Sequence, residues 1–225
     1  MAAVRGTTPG SFRAPRRAIR RAGAAGSRGE ARRQAILRAA FDLFLERGYG
    51  GVTMGDIVGR AGGSLSTLYE QFGSKERLFE AILVDFASDL TAPLDDEALG
   101  EEAVEKVLTR LAERFLLKIL EPRALAWFRM ATAEAVKFPE LRASFLRAGK
   151  GTLRGKLAAY LAAQTRAGRL RTADAELAAT QFLELVKAPL HMRALLGDLE
   201  SVPRGAVSRQ ARAAVRAFLY GYASN

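Results

Sequence analysis

Residues 53 to 79 read TMGDIVGRAGGSLSTLYEQFGSKERLF, and no other stretch restricts the chain so tightly. Thr53 has an acid three positions on, Asp56, the sequence sign of a capped helix start. Ile57, Val58 and Ala61 give that helix one apolar face, and Gly62-Gly63-Ser64 breaks it. Ser64 can cap a second helix through its hydroxyl. There Leu65, Leu68 and Phe72 fall at i, i+3 and i+7 and line one side, leaving Ser66, Thr67, Glu70 and Gln71 on the other. Two short helices joined by a tight glycine-containing turn predict a helix-turn-helix, whose second helix enters a DNA major groove. The outer face carries side chains of the types that bond base edges and phosphates.

The rest of the chain is expected to be all-α. A first helix is predicted from about Glu30 to Arg47, with Ile36, Ala40, Leu43 and Phe44 inward and Gly48 at its end. Ser74 caps a fourth, carrying Leu78, Phe79, Ile82, Leu83 and Phe86, which breaks near Thr91-Ala92-Pro93. Later helices are expected from Val104 through Phe115 to Glu121-Pro122, from Arg123 to Lys137, and from Glu140 to Ala167 with a bend at Gly149 and Gly151. Thr172 is expected to cap the next, which runs past Lys187 toward Leu196 with Pro189 bending it. A last helix spans about Arg204 to Tyr222. Strand-like alternation is nearly absent.

Charge divides the chain unevenly. Residues 1 to 29 hold seven arginines and no acid, residues 30 to 77 carry +1, and the remaining 148 carry +3 of the total of +11. The first 29 residues have too few large apolar side chains for a core and read as a disordered arginine-rich arm. Such an arm attracts phosphates or enters a minor groove, or else is a solvated tail. Three regions follow: the arm at 1–29, a helix-turn-helix domain at 30–90 with its motif at about 53–72, and a helical domain at 91–225.

Several classes of chemistry fall away. The chain has no cysteine, which excludes disulfides, thiolate zinc sites and cysteine nucleophiles. No apolar run approaches the roughly 18 residues a membrane span needs, and no apolar segment follows the N-terminal charges as a secretory signal would. A cytoplasmic, nucleoid-associated protein is expected. Ser64 lacks the closing glycine of a nucleophile elbow, and Gly149-Lys150-Gly151-Thr152 has the wrong order for a phosphate loop. His191 is the only histidine and makes a poor metal site. No enzyme, cofactor or metal is expected.

The run resembles the DNA-binding domain of the TetR family of bacterial repressors. The residues that carry the likeness are Gly48-Tyr49, Thr53, Ile57, Ala61-Gly62, Ser64, Thr67-Leu68-Tyr69, Phe72, Ser74-Lys75-Glu76 and Leu78-Phe79, within about Arg32 to Leu83. Gly63 departs from it, standing where the family usually has an apolar residue, often valine. Gly55 and Gly59 also lie inside the first motif helix, each costing about 1 kcal/mol relative to alanine. The resemblance implies groove contacts at Leu65, Ser66, Thr67, Tyr69 and Gln71 and phosphate contacts at Thr53 and Lys75; Ser64 is grouped with them. Periodicity turns Leu65 inward, against the family position. The segment from about Trp127 to Gly197 resembles the C-terminal domain of the AefR-like branch, which implies a homodimer and a pocket for a small effector.

The expected partners are therefore a palindromic DNA operator, a second copy of the chain and an apolar or aromatic small effector. Candidate pocket residues are Phe115, Trp127, Phe128, Met130, Glu134, Phe145, Phe182 and His191, with Glu184, Lys187 and Met192 beside them. Phe182, Leu185 and Phe218 are expected at the dimer interface, because the last helices carry more large apolar residues than a small domain hides. The alternative is a dimeric architectural DNA-binding protein without an effector, distinguished by whether the C-terminal helices enclose a cavity.

Overall fold

The computed structural model describes residues 24–91, 94, 102–144, 153–199 and 202–222. Most of the arginine-rich arm, Phe145, Gly149 and Gly151 lie outside them. Among the described residues eleven helical segments follow in order: α1 Ala24–Arg47, α2 Met54–Ala61, α3 Leu65–Phe72, α4 Lys75–Thr91, α5 Val104–Ile119, α6 Pro122–Ala135, α7 over 139–144, α8 Leu153–Arg166, α9 Ala175–Lys187, α10 Leu190–Leu195 and α11 Arg204–Tyr222. There is no strand among the described residues.

Four boundaries depart from expectation. α1 starts at Ala24, before Glu30, so the end of the expected disordered arm is helical. α6 starts on Pro122, whose missing N–H belongs to an orphan donor position at a first helical turn, and it stops at Ala135. Thr172 caps nothing: its hydroxyl pairs with that of Thr165 at 2.6 Å. Asp174, nearer the helix, accepts from Leu177 N at 3.0 Å instead. Pro189 separates α9 from α10 rather than bending one helix, since it forces Ala188 to an extended φ −78°, ψ 138°.

The helices enclose two apolar cores. The first joins α1 to α4 through Ile36, Leu43, Phe44, Ile57, Leu68, Phe72 and Phe79. The second joins α5, α8, α9 and α11 through Leu108, Leu111, Leu157, Leu161, Phe182, Val215 and Phe218. α4 serves both, with Leu78 and Ile82 in the first and Leu90 in the second. α6 crosses the boundary as well. Trp127 stacks between Phe41 (centroids 4.8 Å, planes 10° apart) and Phe79 (4.9 Å, 22°), inside the first core.

Candidate nucleic-acid interface

Both motif helices are capped as their sequences require. Asp56 N donates to Thr53 Oγ1 at 3.1 Å and Thr53 N donates to Asp56 Oδ2 at 2.8 Å, a reciprocal box that satisfies two otherwise orphan donors. The Thr53 hydroxyl and amide bonds, with Arg47 at 3.3 Å, hold the Asp56 carboxyl below its ordinary range. Ser64 Oγ accepts from Thr67 N at 3.2 Å and lies 2.9 Å from the Thr67 hydroxyl.

The tight turn explains the Gly63 departure. Arg32 of α1 donates from Nη1 to Ala61 O at 3.2 Å and from Nη2 to Gly62 O, so its guanidinium caps the end of α2. Any Cβ on Gly63 would collide with that guanidinium, and Gly63 also holds φ +92°. Gly63→Val is expected to cost about 1–3 kcal/mol, through a left-handed φ that β-branched residues resist and through displacement of Arg32. A lowered midpoint in denaturant melts checks this; a valine variant as stable as the parent would contradict it.

α3 is anchored by Leu68 (1% exposed) and Phe72 (5%). Ser66, Glu70 and Gln71 are exposed, as are Leu65 (44%) and Tyr69 (48%), while Thr67 is half-buried. Leu65 therefore faces solvent, contrary to periodicity, because the first turn of α3 projects past the core. Ser66 Oγ donates to Glu70 Oε1 at 3.0 Å, which organises part of the exposed face. A groove between α3 and α4 is flanked by Arg33 and Arg77; Arg33 also lies 5.2 Å over the Phe72 ring. Periodicity does not single out Arg32, Arg33 or Arg77, and with a net charge of only +1 over residues 30 to 77 neither does charge.

Lys75 does not present its ammonium as expected of a phosphate contact. Its Nζ donates to Tyr49 O and Val52 O, each at 3.0 Å, and lies 4.2 Å over the Tyr49 ring. Burial pushes its pKa down. Lys75 thus ties α4 to the loop that leads into Thr53.

The same loop is gripped by α6. Glu134 Oε2 accepts from Gly50 N at 3.1 Å, and that amide bond is the main cause of its lowered carboxyl pKa. Phe138 packs edge-on to Tyr49 at 5.3 Å, so closely that a Cβ at Gly50 would lie 2.7 Å from its ring.

The expected pocket residues do not converge. Trp127 and Met130 belong with the first core and Glu134 with the loop, because α6 faces α1 there. Phe115 packs on the second core, and Phe182 is fully buried within it. Phe128 meets buried His191 edge-on at 5.0 Å, and burial lowers the His191 pKa. Glu184 pairs with Lys187 at 2.7 Å and Met192 is 60% exposed. Of the expected interface residues, Phe182 and Phe218 meet at 5.1 Å and are buried within the chain, whereas Leu185 is 40% exposed. Among the described residues no His, Asp and Glu side chains gather to hold a metal ion, and no helix is long and apolar enough to cross a membrane.

A helix-turn-helix on a bundle of further helices defines a class of DNA-binding protein, and comparison with known proteins narrows it. Residues 106–224 match the family described as AefR-like transcriptional repressor, C-terminal domain, and residues 36–82 match bacterial regulatory proteins, tetR family. The chain belongs to the TetR family of transcriptional regulators. It is 37% identical over 76 residues to an HTH-type transcriptional repressor of Mycobacterium tuberculosis, a match taking in 34% of this chain and 40% of that protein. It therefore spans about two fifths of the length of the curated relatives it matches. A TetR-family regulator from Mesorhizobium loti superposes with TM-score 0.70 at 26% identity, over 88% of this chain and 99% of the other. The flavonoid-responsive regulator FrrA gives TM-score 0.68 at 29% identity, over 87% and 99%.

Proposed function

We propose that the chain is a cytoplasmic, homodimeric repressor that reads a palindromic operator with α3 and is released by a small aromatic effector. The observation that carries the DNA-binding half is α3 itself: Leu68 and Phe72 fix the helix, and Leu65, Ser66, Tyr69, Glu70 and Gln71 are exposed for contact. One such helix reads a half-site; two held about 34–36 Å apart read both halves from one side of the duplex. The arginine-rich arm adds phosphate contacts. The similarity to a flavonoid-responsive regulator supports an aromatic effector.

The second copy docks on the outer face of α9 and α11. A shallow, mainly apolar depression of about 490 Å³ lies there, lined by Thr180, Leu185, Ala188, Ala217 and Gly221, with Leu177 51% exposed nearby in sequence on α9. Signals pass between the regions by α4, which enters both cores, and by α6 through Trp127 and Glu134. An effector works here through unequal affinity for two dimer shapes.

Leu177→Glu with Leu185→Glu tests the assembly. Both side chains are exposed, so the variant is expected to stay folded, fall from dimer to monomer in light scattering and lose operator binding. A folded variant that remains dimeric would overturn this face as the interface.

A further inference from the structure

Residues 48 to 52 carry the chain from α1 into Thr53, the cap of α2, and three of the five are glycines. A segment so rich in glycine does not hold one shape by itself, so its neighbours must fix it. From the motif side, Lys75 holds the Tyr49 and Val52 carbonyls, and the Tyr49 hydroxyl donates to Glu76 Oε1 at 3.3 Å. From the C-terminal side comes α6. Its Trp127, Ala131 and Glu134 fall at i, i+4 and i+7 on one face. Trp127 and Ala131 are buried in the first core, and Glu134, its side chain only 15% exposed, reaches past them to Gly50 N at 3.1 Å. On the opposite side of α6, Arg129 donates from Nε to Leu195 O at 2.7 Å and from Nη2 to Ala194 O at 2.6 Å, the last carbonyls of α10. α6 is thus tied to backbone on both sides, to α10 by Arg129 and to the loop before α2 by Glu134.

The contacts of α6 with the motif domain differ in kind. Apolar burial is non-directional, so the stacked Trp127 holds the two regions together without fixing their angle closely. A hydrogen bond to a carboxylate is strong and directional. The Phe138 ring leaves no slack beside it, since a Cβ on Gly50 would lie 2.7 Å away. We propose that Glu134 is a positioning residue for operator recognition: it holds the loop before α2 at one orientation to α6 and α10, so that both α3 helices of a dimer meet their half-sites together. α3 is untouched by its loss, so a single half-site is read as before and only the simultaneous fit suffers. This deepens the operator reading and rests on it for the consequence on DNA alone.

The test compares Glu134→Ala, which removes the acceptor, with Glu134→Gln, which keeps a carbonyl oxygen at the same reach. Orientation is read without DNA, by energy transfer from Trp127, the only tryptophan, to a dye on Gly59→Cys in a chain that has no other cysteine. Gly59 is exposed on α2, and an added Cβ there meets nothing within 4 Å. Glu134→Ala is expected to shift or broaden the distance from α6 to α2, and Glu134→Gln to keep that of the parent. On DNA, Glu134→Ala is expected to lose about tenfold or more on the full operator, the size of a lost charged hydrogen bond, and nothing on a single half-site duplex. Glu134→Gln is expected to restore the preference for the full operator. The proposal is overturned by an alanine variant with the parent's transfer, by equal losses on full and half sites, or by a glutamine variant no better than alanine. An alanine variant that does not fold overturns it too, because Glu134 would then serve the fold and not the orientation. A changed transfer in a protein whose parent prefers no duplex upholds the positioning role and removes the operator reading alone.

Discussion

Phe182→Asp is expected to leave no cooperatively folded protein. The ring is 0% exposed, meets Phe218 edge-on at 5.1 Å and is enclosed by α5, α8, α9 and α11. Removing a buried phenylalanine costs about 3–5 kcal/mol. An unpaired carboxylate in its place adds several more, or must take up a proton to avoid them. A domain holds only about 5–15 kcal/mol in all. Circular dichroism and denaturant melts measure the result. Had Phe182 been an interface residue, the same change would give a folded monomer, and that outcome would contradict its placement in the core. At the exposed Leu177 and Leu185, on the proposed interface, charge is expected to separate subunits without unfolding them.

Trp127→Ala is the second large effect. The indole is 6% exposed and lies between Phe41 and Phe79, with Phe44 at 6.1 Å. A residue lining an effector cavity could be trimmed with little loss of stability. A residue packed between three rings cannot, and its removal is expected to cost about 3–5 kcal/mol. The loss falls on the contact between α6 and the motif domain, so the midpoint of denaturation drops even where no effector is present. An alanine variant within about 1 kcal/mol of the parent would return Trp127 to the list of cavity residues.

The sequence carried local information faithfully and tertiary information poorly. Thr53 and Ser64 cap the motif helices, and Leu68 and Phe72 bury as their spacing required, because caps and helical stripes are set within a few residues. The bonds of Lys75 were not legible because the carbonyls that hold its ammonium lie 23 and 26 residues away, at Val52 and Tyr49. Gly63 reads from the sequence only as a departure from the family pattern; the reason for it, Arg32 capping the turn, comes from another helix. Leu65 satisfied the apolar period yet had no core beneath it. Trp127 and Glu134 lie on a helix whose partner, α1 or a cavity, periodicity does not reveal. Phe182 and Phe218 were legible as apolar and helical, but the choice between their own core and a neighbouring subunit depends on how α9 and α11 are rotated.

α3 is the element proposed to read the DNA sequence. The most direct measurement selects bound duplexes from a random pool with the full chain, then compares parent and Tyr69→Ala/Gln71→Ala protein on the selected site. Both side chains are exposed, so the variant is expected to keep its melting midpoint and its dimer. The selected site is expected to be twofold symmetric, with half-site centres about one helical turn or a multiple apart. Each lost base contact removes about 1–3 kcal/mol of discrimination, so the variant should lose about a hundredfold or more in preference for that site over random duplex. A folded, dimeric variant that binds the same site with unchanged affinity would contradict the account.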